Sequence, residues 1–150
     1  MITSEQVKQL RDKTGVSVME CKKALTEAEG DETRALEILK ERSLVSAAKK
    51  AGRELGAGTV AAYVHAGAQV GAMLLLMCET DFVSKNEEFA SLARDIAMHA
   101  SAMRPANKEE LMQQQFIKDP GKTIGDLLSG AVQKFGERIE VTDFSVFAVK

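Results

Sequence analysis

The sequence has no tryptophan, a single tyrosine and only 5 % aromatic residues. Its core must therefore rest on leucine, valine, alanine and methionine. It also lacks a basic excess: the net charge is −2 and the pI is near 5.8. That argues against a nucleic-acid partner, because such proteins normally carry a basic face. The two cysteines, Cys21 and Cys78, stand far apart and form no CxxC or Cys/His ligand spacing. Reduced thiols in a cytosolic protein are the expectation. The longest apolar run, Val70 to Cys78, is about half of the ~20 residues that a membrane-spanning helix needs. Met1-Ile2 is followed at once by Thr3-Ser4-Glu5 rather than by a basic and then apolar leader. A soluble, unexported, cytoplasmic chain with no membrane partner is expected.

Catalytic sets are missing as well. His65 and His99 are the only histidines, and neither is spaced with Cys, Asp or Glu as a metal site requires. No nucleophile motif surrounds Cys78. Gly56-Ala57-Gly58 lacks the Lys-Ser/Thr and the strand-to-helix setting of a phosphate loop. The sequence thus predicts no enzyme chemistry, no cofactor and no metal.

What is present is ordinary globular composition, 45 % hydrophobic and 28 % charged, with clear punctuation. Residues 1–43 read as three short helices. Thr3 with Gln6 suits a capping box, Val7, Leu10 and Thr14 form a stripe, and Gly15 stops the first helix. Ser17 with Glu20 makes a second box, Val16 and Cys21 sit at staple positions, and Val18, Cys21, Leu25 and Ala28 run on to Gly30. Asp31 opens a third helix with Ala35, Leu36 and Leu39 inward. Met19 falls about 100° off the buried stripe, and Arg11 lies near the end of the first helix. Two readings stay open there: a core plug beside a solvated charge, or a contact patch, since Met and Arg are common at interfaces.

Residues 44–56 read as a helical linker, made of an alanine-rich helix over Ser43–Leu55 that carries Lys49, Lys50 and Arg53 on its polar side and dissolves at Gly56. From Gly58 the period becomes alternating. Val60, Ala62 and Val64 face one way, Thr59, Ala61, Tyr63 and His65 the other. Ala66-Gly67-Ala68 turns the chain into Val70–Cys78, apolar on both faces and so a central strand. Gly71 near Tyr63 leaves space for a ring. Phe89, Leu92, Ile96, His99 and Met103 recur at helical spacing up to Pro105. Asn107 with Glu110 caps a brief helix, Asp119-Pro120-Gly121 marks a turn, an amphipathic helix carries Ile124 to Phe135, and Ile139–Val149 closes as a strand. The fold class is therefore α+β: a three-helix bundle over 1–43, a helical linker over 44–56, and a core over 57–150 built on a small antiparallel sheet of about three strands packed with helices.

Between the apolar strand and the next helix stands Cys78-Glu79-Thr80-Asp81-Phe82-Val83-Ser84-Lys85-Asn86. Ser84 with Glu87 matches a helix-opening box, which makes Thr80 to Val83 a surface junction. Phe82 is an aromatic among polar residues. It either folds under the helix or is presented to a partner.

Several blocks together resemble the translation elongation factor Ts family. They are Leu10-Arg11 with Thr14-Gly15, Cys21-Lys22-Lys23-Ala24-Leu25 with Glu27-Ala28 and Gly30-Asp31, Ala47 to Arg53, Cys78 to Val83, Ile96 to His99, and Phe116-Ile117-Lys118-Asp119-Pro120. The resemblance implies a ubiquitin-associated-like N-terminal domain and a guanine nucleotide exchange factor for elongation factor Tu, binding its GDP-bound and nucleotide-free forms. It assigns Thr80, Asp81, Phe82 and Val83 to the segment that enters the partner's G domain and dislodges Mg²⁺. It assigns Arg11, Val18 and Met19 to N-terminal docking on the same domain. With it, the outward fate of Phe82 is the expectation.

The chain departs from the family's longer members by having only about ten residues between Met103-Arg104-Pro105 and Phe116, where many carry a helical hairpin. It is similar to short forms associated with homodimers. Thr142, Asp143 and Val146 stand where arginines are usual. The competing reading is an adaptor that binds a ubiquitin-like or nascent-chain partner through residues 1–43.

Overall fold

Local caps set the helix boundaries in the computed structural model, which describes residues 1–150. Helix α1, Ser4–Thr14, opens on the reciprocal Thr3/Gln6 box and stops at Gly15, whose φ of 69° is left-handed. Helix α2, Val18–Glu27, is capped by Ser17, whose side chain accepts from the Glu20 N–H. Helix α3, Glu32–Lys50, is capped by Asp31. Two expectations change here. Helix α3 runs unbroken through Ser43, because no Gly or Pro interrupts it and the Ser43 hydroxyl, bonded back to the Lys40 carbonyl at 2.7 Å, leaves no polar group unpaired at this buried position. It ends at Lys50, short of Leu55.

The helices of this first unit bury Val7, Leu10, Val16, Cys21, Ala24, Leu25, Ala28, Ala35 and Leu39, with Ile2 and Ile38 packed alongside. No aromatic ring enters that core. Val18 and Leu36 are not in it: Val18, on the stripe of Cys21 and Leu25, is the first residue of α2 and lies exposed beyond the end of the core.

Strands β1, Ala57–Val64, and β2, Val70–Cys78, pair antiparallel through the Ala66–Ala68 turn, and β5, Glu140–Ala148, pairs with the other edge of β2. The order β1-β2-β5 makes β2 central, as its composition predicts. Gly71 is needed for backbone rather than for a ring. A Cβ there would lie 2.9 Å from the Tyr63 carbonyl oxygen.

Helix α5, Glu87–Met103, packs on β1 and β2. The facing residues are small: Ala57 and Ala61 on β1, and Ala93, Ala97 and Ala100 on α5, are all buried. This close approach leaves the larger Val60 and Val64 on the opposite, exposed face of the sheet. Helix α6, Lys108–Gln113, is capped by Asn107. Gln115–Phe116 (β3) pairs with Asp119–Thr123 (β4), so the Asp119-Pro120-Gly121 turn belongs to a small second sheet. Helix α7, Ile124–Phe135, opens on a reciprocal pair: Asp126 N–H donates to Thr123 Oγ1 and Thr123 N–H to Asp126 Oδ2, both at 3.0 Å. By contact density the chain divides into residues 1–51 with 129–136 and residues 52–128 with 137–150. No helix is long and apolar enough to cross a membrane.

Candidate partner-contact surfaces

The segment after β2 is helical rather than irregular. Helix α4, Asp81–Ser84, is a single turn entered through Thr80 in extended conformation. The Ser84/Glu87 box does not form, because Ser84 belongs to α4. Asn86 caps α5 instead, its side chain accepting from the Glu88 N–H at 2.8 Å. Adjacent positions on one turn point to different environments, which separates Phe82 from Val83. Val83 is 7 % exposed and Phe82 is 93 % exposed. Asp81 and Thr80 are exposed too.

Thr80 is a residue type that normally caps a helix with its hydroxyl, yet it makes no side-chain cap here. Its Oγ1 donates to Glu137 Oε2 at 2.5 Å, and its N–H donates to Glu137 Oε1 at 2.9 Å. The Glu79 N–H reaches the same Oε1 at 3.0 Å. In return, Glu79 Oε2 accepts from the Arg138 N–H and faces Arg53 at 3.5 Å. Arg53 is thereby tied to the end of β2. No local spacing flags Glu137, because its partners lie 57 and 58 positions earlier.

Cys78 is fully buried, and its Sγ donates to the Thr80 carbonyl at 3.3 Å. Burial pushes this thiol up, and the neighbouring Glu137 carboxylate pushes it the same way. A thiol held in that form is a poor nucleophile. His99 is fully buried. Its Nε2 lies 2.9 Å from Gln114 Oε1, and its Nδ1 accepts from the Ile117 N–H at 3.3 Å. Burial lowers its pKa, so it is a neutral strut between α5 and β3. No group of three His, Cys, Asp or Glu is placed to hold a metal ion.

In the first unit, Arg11 lies in the last turn of α1, and Val18 and Met19 in the first turn of α2, either side of the Gly15–Ser17 link. All three are exposed, Met19 at 66 % and Val18 at 51 %. Met19 therefore plugs no core gap. A third surface is the outer face of the sheet, where Val60, Val64, Met73 and Phe147 are exposed around Leu75, with Asp143 and Ser145 on the same face. Thr142 falls at the bulge between β2 and β5, with its carbonyl accepting from Lys108 Nζ at 3.3 Å.

A fixed outward ring, an exposed Met/Arg/Val patch and an apolar sheet face define an α+β protein equipped for contact with other proteins. Comparison with known proteins sharpens that class. A family model described as Elongation factor TS matches residues 79–150. Elongation factor Ts of Desulfotalea psychrophila is 38 % identical over 193 aligned positions, covering 99 % of this chain and 98 % of that protein. That of Acetivibrio thermocellus is 38 % identical, covering 98 % and 89 %. That of Thermosipho melanesiensis is 44 % identical over 152 positions, covering 91 % and 78 %. The chain belongs to the elongation factor Ts family, whose place is in translation elongation. Alignments of 193 positions against 150 residues open gaps in this chain opposite its relatives.

Proposed function

We propose that this protein is a guanine nucleotide exchange factor for elongation factor Tu that acts by inserting the Thr80–Val83 turn and catalyses no bond change itself. The observation that carries the reading is the exposure of Phe82 on a turn whose neighbours are both fixed, Thr80 by Glu137 and Val83 by burial. An exposed aromatic is costly to leave in water and valuable once buried in a partner.

GDP is held on a GTPase partly by Mg²⁺ bridging protein and phosphate oxygens. A ring wedged beside that ion shifts the elements that coordinate it without touching the nucleotide. Asp81, adjacent and exposed, brings a carboxylate to the same place. Linkage then requires that GDP and the exchange factor weaken each other's binding equally, and a hundredfold weakening corresponds to about 2.7 kcal/mol of coupling. One desolvated aromatic anchor, worth roughly 2 kcal/mol or more, supplies much of that. Arg11, Val18 and Met19 serve as a separate docking patch on the same partner and set affinity rather than displacement.

In this reading residues 1–43 form the docking domain, 44–56 the linker and 57–150 the exchange domain, and the protein works in the cytoplasm. It forms a homodimer through the apolar outer face of the sheet, which a second copy covers with a like surface. The deciding experiment is displacement of fluorescent GDP from purified elongation factor Tu with the full chain and with Phe82→Ala. Unstimulated release by the wild-type chain ends the proposal.

A further inference from the structure

We infer that Glu137 is a positioning residue for Phe82: its carboxylate fixes the turn that presents the ring, without touching the partner. This rests on the exchange reading given above. The argument starts from an anomaly. Helix α4 has four residues, and its Thr80 hydroxyl leaves its own first turn uncapped. A single helical turn is unfavourable alone, because it fixes several dihedrals for very few hydrogen bonds. Two things replace the missing stability. Downstream, Val83 is buried. Upstream, Glu137 takes three donors at once: the N–H groups of Glu79 and Thr80 on one oxygen, and the Thr80 hydroxyl on the other.

Hydrogen bonds from neutral donors to a carboxylate are short and about twice as strong as neutral pairs. The arrangement is reciprocal, since Glu79 in turn accepts the Arg138 N–H. Two chain segments almost 60 positions apart thus hold each other by backbone N–H and carboxylate, in the manner of a capping box stretched across the fold. Glu137 is close to the Gly136 stop of α7, where φ is 74°, so its backbone is set by that turn. The ring of Phe82 lies two residues beyond the clamp. Without the clamp, Thr80 is free to swing back and cap α4 or to fray into solvent, and the ring samples many directions. A chain docked on its partner then has the ring correctly aimed for only a fraction of the time, and displacement slows in that proportion.

The test uses fluorescent GDP release from elongation factor Tu by four full-length variants: Phe82→Ala, Glu137→Ala, Glu137→Gln and the Phe82→Ala/Glu137→Ala double. Glu137→Gln keeps an oxygen for the two N–H groups and an amide for the Thr80 oxygen, so it is expected within about threefold of wild type. Glu137→Ala is expected to lower the saturating rate about tenfold while leaving the half-saturating concentration within about twofold, because docking elsewhere is untouched. The double variant should be no worse than Phe82→Ala alone, the mark of two residues acting as one unit. Hydrogen exchange at residues 80–85 should rise in Glu137→Ala with little change at β2. Full activity of Glu137→Ala beside an impaired Phe82→Ala overturns the role of Glu137 and leaves the exchange reading standing. Losses that multiply in the double variant, or a parallel loss in Glu137→Gln and Glu137→Ala, overturn it too. A fully active Phe82→Ala ends the wedge reading and this inference with it.

Discussion

Replacing Phe82 with alanine separates folding from function more cleanly than any other single change in the chain. The ring is 93 % exposed, so its removal leaves no cavity inside the protein. Alanine is also the better helix former, by up to about 0.5 kcal/mol. Stability should therefore stay within about 0.5 kcal/mol of wild type, a shift of roughly 2 °C or less in the melting temperature of a chain this size. The functional loss is set by what the ring gains when a partner buries it. Full burial of a phenylalanine side chain is worth about 1.5–3 kcal/mol, which is roughly 10- to 150-fold in the rate of GDP release at saturation. Stopped-flow release of fluorescent GDP measures that rate, and a thermal melt of the same sample measures stability. Val83→Ala is the counterpart. That side chain is buried, so its truncation should destabilise the fold by about 1–3 kcal/mol, a melting shift that Phe82→Ala does not show, and loosen the turn as well. Phe82→Ala exchanging at the wild-type rate, with an unchanged melt, refutes the reasoning outright.

Three further outcomes follow from other parts of the molecule. Met19→Ser, at an exposed position in the first turn of α2, should raise the half-saturating concentration about three- to tenfold and leave the saturating rate unchanged. The reverse pattern removes Met19 from docking. His99 has its pKa lowered by burial from 6.5, so the unfolded chain binds more protons than the folded one as the solution is acidified. Its contribution to stability is complete above about pH 6.5 and is lost as pH falls from there toward the lowered folded value. A His99→Gln chain should show a flatter stability–pH curve over that window by urea unfolding, and an identical curve rejects the assignment. Met73→Glu places a charge at the centre of the exposed sheet face, opposite Ala62 and Ser145. Light scattering should then report a monomer where the wild-type chain is a dimer, and a dimer in both rejects that face as the interface.

What was legible in the sequence was what is decided within one turn. Thr3 with Gln6, Asn107 with Glu110, and the left-handed stop at Gly15 lie where their spacing puts them, because a cap needs only its own helix. Strands β1 and β2 were legible for a related reason: alternation and a short turn fix their pairing. The misplacements are those where a distant partner overrides a local pattern. Ser84 and Glu87 have the right spacing for a box, but Val83 is drawn into the core and pulls Ser84 into a turn of its own. Which face of β1 is covered was open in the alternation alone: α5 comes close over Ala57 and Ala61, and Val60 and Val64 take the other face. Val18 is on the stripe of Cys21 and Leu25 but in the first turn of α2, beyond the reach of the small core of the first unit.

The same distinction explains why the site was half legible. Phe82 stands out by composition, an aromatic set among Thr, Asp, Ser, Lys and Asn. Its direction is a tertiary property. On a four-residue helix, neighbouring side chains differ by about 100°, so turning the helix by one position would bury Phe82 and expose Val83. Nothing inside Thr80–Ser84 chooses between those two settings, because the turn has no side-chain cap of its own. The choice is made by groups from elsewhere in the fold. Cys78 binds the Thr80 carbonyl, and Glu137 binds the Thr80 hydroxyl and N–H. Together they hold the two peptide groups that flank the Thr80 Cα and so fix the phase of the turn that follows. The outward ring is therefore a consequence of where residues 136–138 pass, and changes there should alter exchange without any residue of the presented turn having been touched.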